Sequence, residues 1–95
     1  MNPDSFKASL ADAAPPDATP VIEALWHAAK GDWQAAHRLV QDEEGPDAAW
    51  VHAHLHRIEG DLANAGYWYR RAGRPRSDAP IAEEWQEIVS AILGG

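Results

Sequence analysis

Ninety-five residues, 45% of them hydrophobic, with a formal charge of −7 and no cysteine, describe one small acidic domain. A chain of this length hides roughly 60–65% of its extended surface on folding, enough for a single core. The composition excludes a disulfide framework, a thiolate metal site and a cysteine nucleophile; the negative balance also excludes general nucleic-acid binding, which needs a basic face.

The first segment, residues 3–13, carries a short helical signal, with Phe6 and Leu10 as an i, i+4 apolar pair. Ala14-Pro15-Pro16-Asp17-Ala18-Thr19 reads as a connector, because proline lacks the amide and clashes with the preceding turn. Thr19-Pro20 then supplies an N-cap followed by Pro at the first helical position. The second helix places Ile22, Leu25, Trp26 and Ala29 on one stripe and stops at Gly31. Asp32 caps the third, whose apolar residues are Trp33, Ala36, Leu39 and Val40, and which dissolves in Asp42-Glu43-Glu44-Gly45. That acidic run lacks the ligand alternation of a calcium loop and reads as a solvated connection. Pro46 opens the fourth helix, with Asp47 at the positive end of its dipole. Val51, Leu55 and Ile58 form its predicted buried stripe, and Gly60-Asp61 repeats the stop-and-cap device 29 residues after Gly31-Asp32. The fifth helix buries Leu62, Ala65, Tyr69 and Ala72 and ends at Gly73-Arg74-Pro75. The last begins at Pro80, with Ile81, Trp85, Ile88, Val89 and Ile92 as its stripe, before Gly94-Gly95.

No strand-type alternation is present, so the chain is read as all-α, with about six helices stacked as antiparallel helical hairpins. One domain over residues 1–95 divides into an N-terminal helix and Pro-rich connector (1–19), hairpin 1 (20–44), hairpin 2 (46–75) and a C-terminal capping helix (79–93). Trp26, Trp33, Trp50, Trp68 and Trp85 fall one to each of the last five helices, where they are expected to wedge helix against helix.

The segment from Ala49 to Pro75 resembles a tetratricopeptide repeat. Trp50 sits near that family's first-helix aromatic and Ala53 near its small residue; Gly60 and Asp61 match its turn, and Ala65, Tyr69, Ala72 and Pro75 its second helix and terminal Pro. The spacing departs from the family: the period is 29 rather than ~34, Trp50 is displaced by about one residue and Pro75 arrives about two residues early. The earlier copy keeps Gly31, Asp32 and Ala36, so the resemblance covers residues 20–75 and implies the wider tetratricopeptide-like fold. The run from Tyr67 to Pro75 also looks like a segment of small uncharacterised bacterial proteins, which implies no activity.

Two residue groups are candidates for chemistry. His52 and His56, i, i+4 on one helical face, have the spacing that presents two imidazoles to one metal ion, while His54 points elsewhere. His37 completes a set of three only if its helix packs on the same side. The bland alternative makes these histidines surface or groove positions. Arg70, Arg71 and Arg74 end the fifth helix, where cations suit the dipole; with Arg57, Tyr67, His52 and His56 they are also a candidate groove for a carboxylate or phosphate. Charge supports a basic patch: residues 57–76 hold five Arg against Glu59 and Asp61, whereas residues 1–47 hold three Lys/Arg against nine Asp/Glu.

Catalysis has little support. Ser5, Ser9, Ser77 and Ser90 sit in no nucleophile-elbow context, there is no glycine-rich phosphate loop, and a His56–Glu59 pair is common helical spacing. No catalytic residue and no cofactor are therefore assigned. The expectation is a protein–protein interaction module, taking an acidic peptide or anionic ligand in the face left by stacked hairpins. The alternative is a small metal- or ligand-binding protein or enzyme using the His52/His56 face. A protein or peptide partner is expected, with self-pairing through apolar end faces such as Trp85 and Ile88 as a further option, and neither nucleic acid nor membrane. Without a signal-peptide run or a stretch of ~18 apolar residues, a cytoplasmic location is expected.

Overall fold

The computed structural model describes residues 1–94; Gly95, which the sequence reading places after the last helix, lies outside them. Among the described residues there are six α-helices and no strand: α1 (Pro3–Ala8), α2 (Pro20–Ala29), α3 (Trp33–Val40), α4 (Pro46–Glu59), α5 (Leu62–Ala72) and α6 (Ile81–Leu93). A 3-10 turn, Ser9–Ala11, extends α1.

The two glycine–aspartate corners are real and have the same construction. Gly31 (φ 84°) and Gly60 (φ 85°) take the left-handed conformation that ends a helix, open to glycine at no steric cost. The next amide reaches back to a helix carbonyl in each case, Asp32 to His27 and Asp61 to His56, both at 2.9 Å. Each aspartate then turns its carboxylate onto the following helix, accepting from the Ala35 amide at 3.1 Å and the Asn64 amide at 3.2 Å. So short a reversal leaves α2 against α3 and α4 against α5.

The packing around these pairs is centred on α4, which touches α2, α3, α5 and α6. Every residue from Ala48 to His56 is buried, so this helix has no solvent stripe over its middle turns. A helix apolar all round is the usual tenant of such a place; here three histidines occupy it. α6 lies on α4, α2 and α1. It covers the side shared by the first helices of both pairs, with the Trp85 indole donating to the Leu25 carbonyl at 2.7 Å. Trp85 and Ile88 are thereby consumed inside the chain, and are not free for a seam with a second copy. Phe6 stacks on Trp85 at 5.8 Å, fully buried, and the Trp26 indole donates to the Ser9 carbonyl. The N-terminal segment is therefore part of the core rather than an appendage.

Three large residues assigned to buried stripes are outside, as is the small Ala29 at the end of α2. Leu62 is 60% exposed, Ile58 39% and Ile81 37%. All three large residues sit at helix ends, Ile58 and Leu62 flanking the Gly60-Asp61 corner and Ile81 opening α6. Periodicity names a face but not how far along the helix a neighbour reaches.

Candidate functional site

The α2–α3 pair and the central helix bring three histidines together. His37 comes from α3, His52 and His56 from successive turns of α4. The Nε2 atoms of His37 and His52 are 3.1 Å apart, one ring N–H donating to the other ring nitrogen. One ring nitrogen from each of the three lies within 4.8 Å of the other two. His52 and His56 are stacked at 5.0 Å, and His37 stands nearly perpendicular to His52. Behind His56, Glu59 accepts from Nδ1 at 3.0 Å, which leaves the Nε2 lone pair unused by this bond. Tryptophans form the walls. Trp33 lies flat on His37 at 4.7 Å, Trp68 flat on His52 at 3.9 Å. The Trp33 indole is pinned by donation to the Leu55 carbonyl at 2.7 Å.

This environment favours the neutral form of His37 and His52. Burial is the largest influence on His52, and the neighbouring His56 and His37 add to it; its pKa is pushed down to about 4. His37 is lowered by burial and then by His56, against a smaller opposing pull from Glu59. At neutral pH both therefore present lone pairs rather than charge, the form that coordinates a metal. A second group, His56, Glu59 and Asp61, shares one histidine with the first. Its Asp61 is already spent on capping α5, where bonds from the Asn64 backbone and side chain hold its carboxyl below the ordinary value.

His54 faces the other way, toward α6. Its Nδ1 meets Glu84 Oε1 at 2.6 Å in a fully buried contact. The same Oε1 accepts from Arg57 at 2.9 Å, and Tyr69 donates its hydroxyl to Oε2. The second arm of Arg57 donates to the Ala79 carbonyl at 2.6 Å, tying the 73–80 connector to α4. Burial alone would push the Glu84 carboxyl up, but hydrogen bonds from His54, Tyr69 and Arg57, with an electrostatic contribution from His54, hold it below its ordinary value. Burial and Glu84 together push the Tyr69 phenol up.

The arginines do not share one groove. Arg57 is an internal strut, half-buried against Glu84. Arg74 lies 3.4 Å over the Trp50 ring. Arg71 donates to the Tyr67 hydroxyl at 3.2 Å and sits over the Trp68 ring. Arg70 and Tyr67 are exposed on α5. Arg57, Arg71 and Arg74 each have their own partner, a buried carboxylate for the first and aromatic rings for the other two. Residues 41–47 are exposed throughout, as a solvated loop should be.

The histidines are thus neither surface nor groove positions: His52, His54 and His56 are all buried. Glu84 is the residue that sequence reasoning missed. A signal was present, since Ile81, Glu84, Trp85 and Ile88 share one helical face and an acid stands in the middle of it. Trp33 and Trp68 were expected as wedges; their placement against imidazoles depends on tertiary packing. Among the described residues no helix is long and apolar enough to cross a membrane. No family model, no curated protein and no solved structure matches the chain.

Proposed function

We propose that this chain binds a transition-metal ion of the zinc class through His37, His52 and His56. The observation that carries the reading is the 3.1 Å approach of two ring nitrogens from different helices, with a third within 4.8 Å. Two nitrogens on a tetrahedral ion with bonds of ~2.0–2.1 Å lie roughly 3.3 Å apart, so the pair needs little movement to share one. Glu59 on His56 supplies the carboxylate that orients a ligating imidazole and raises its basicity. Three protein nitrogens leave a fourth position for water or another donor, the arrangement in which a zinc ion is open to exchange. Imidazole donors suit zinc, copper and nickel alike, and availability decides among them.

The test is a melting curve with zinc. A ligand at a hundred times its Kd adds about 2.7 kcal/mol, which in a domain of this size raises Tm on the order of 10–20 °C. His52→Ala is expected to abolish the rise, while His27→Ala, on α2 and outside the cluster, keeps it. A zinc effect unchanged by His52→Ala would refute the reading.

A second reading, recognition of an acidic partner, is favoured by the exposed edge of α5, where Tyr67, Arg70 and Arg71 stand at i, i+3 and i+4. There, Arg70→Glu with Arg71→Glu is expected to weaken capture of an acidic peptide without lowering Tm; a peptide held equally well by the double variant would remove this reading.

A further inference from the structure

A cavity of about 450 Å³ opens between α6, α4, α2 and the N-terminal segment. Its walls are mainly apolar, from Leu10, Ala28, Ile58, Ile81 and Trp85, with Lys7 and Gln86 at the edges. His54 forms part of the wall. Because Nδ1 is engaged by Glu84, the one side-chain polar atom that His54 has left to offer is Nε2. Nε2 is buried and, among the described residues, has no hydrogen-bond partner. It is singular in this respect: every other fully buried side-chain nitrogen or oxygen among the described residues is satisfied.

A buried polar atom without a partner costs on the order of 1–3 kcal/mol. Here the atom is fixed rather than incidental, since Glu84 is held in turn by Arg57 and Tyr69. In the neutral ring, the Glu84 bond selects the tautomer with the hydrogen on Nδ1 and a lone pair on Nε2. The ring is an oriented acceptor just behind the wall of an apolar chamber, closed to a water-sized probe until a neighbouring side chain shifts, and a chamber of this size lies in the range of small-molecule sites.

We infer that this cavity binds a small, largely apolar alcohol or phenol, whose hydroxyl donates to His54 Nε2 while its carbon body lies against Ile81, Trp85 and Leu10. Oxygen that only accepts cannot complete the bond, so the preference is for the hydroxyl compound over its ether. Body size is on the order of ten to fifteen heavy atoms. The site is separate from the metal cluster: His54 leaves α4 toward α6, while His52 and His56 face α3 and α5.

The probe pair is 2-naphthol and 2-methoxynaphthalene, titrated into the full chain and followed by amide and histidine-ring nitrogen NMR. Expected are shifts confined to the cavity walls, including the Trp85 indole, a change in the His54 Nε2 resonance with 2-naphthol only, and about tenfold tighter binding of the naphthol. His54→Leu is expected to erase the difference between the two compounds. Ala82→Trp, which fills the mouth from an exposed position and leaves His54 in place, is expected to exclude both. Equal binding of phenol and ether, binding elsewhere on the surface, or no binding of either at millimolar concentration would each overturn the inference. Zinc titration of His37, His52 and His56 remains a separate readout, so failure here leaves the metal reading standing, and the reverse.

Discussion

At the level of single residues, the histidines show how place overrides type. Spacing alone identifies His52 and His56 as a pair, because i, i+4 geometry is local. It cannot say that α4 would be enclosed on several sides, which turns a polar row into buried chemistry. One consequence is acid sensitivity. An unfolded histidine takes up its proton near pH 6.5, whereas His52 in the fold does so only at about 4. Below 6.5 the unfolded state binds the proton and the native state does not, so stability is lost as pH falls from about 6.5 to about 4. His37, lowered in the same sense, adds to the loss. Expected is a Tm that declines through this window and a decline that flattens in His52→Gln, measured by circular dichroism melts at fixed salt. Glu84 makes a different demand. Its carboxylate is 1% exposed and neutralised by Arg57. Arg57→Ala is expected to cost about 3 kcal/mol, because it strands a buried charge; chemical denaturation reads this directly, and a loss under ~1 kcal/mol would mean that His54 and Tyr69 suffice.

At the level of helices, the corners were legible and the faces only partly so. A Gly-Asp pair encodes its own turn through positive φ and a carboxylate cap, with no help from distant residues. Gly60→Ala is accordingly expected to cost on the order of 1–2 kcal/mol, since Cβ in the left-handed region meets the carbonyl oxygen whatever the surroundings. Thermal unfolding compared with Ala63→Gly, a helical control on α5, separates backbone strain from general weakening. Face assignment failed at Ile58, Leu62 and Ile81, all at helix ends. The arginines are dispersed for a related reason: helix-end position predicts where the backbone puts a guanidinium, while the rings and carboxylate nearby, Trp50, Trp68 and Glu84, decide where it rests.

At the level of the whole molecule, the least legible feature was the course of α6. Its stripe announces a buried helix, yet nothing local says that it crosses α2 and α4 and meets α1. Long-range closure of this kind depends on complementary volumes, here Phe6 stacked on Trp85, whose indole in turn donates to the Leu25 carbonyl. His54 and Glu84, 30 positions apart, are joined by that closure alone. Trp85→Ala is expected to cost about 3–5 kcal/mol and to loosen both chain ends together, visible as lost hydrogen-exchange protection in α1 as well as α6. Retained protection in α1 would show that the termini fold independently of each other.

The indoles lying flat against the imidazoles give the protein a built-in optical gauge. Trp33 and Trp68 are in van der Waals range of the rings proposed to receive the ion. Cobalt or copper arriving there would darken their emission by short-range quenching, while diamagnetic zinc would leave them bright. Occupancy of the cluster is thus readable by ultraviolet fluorescence without a dye, a label or a known partner.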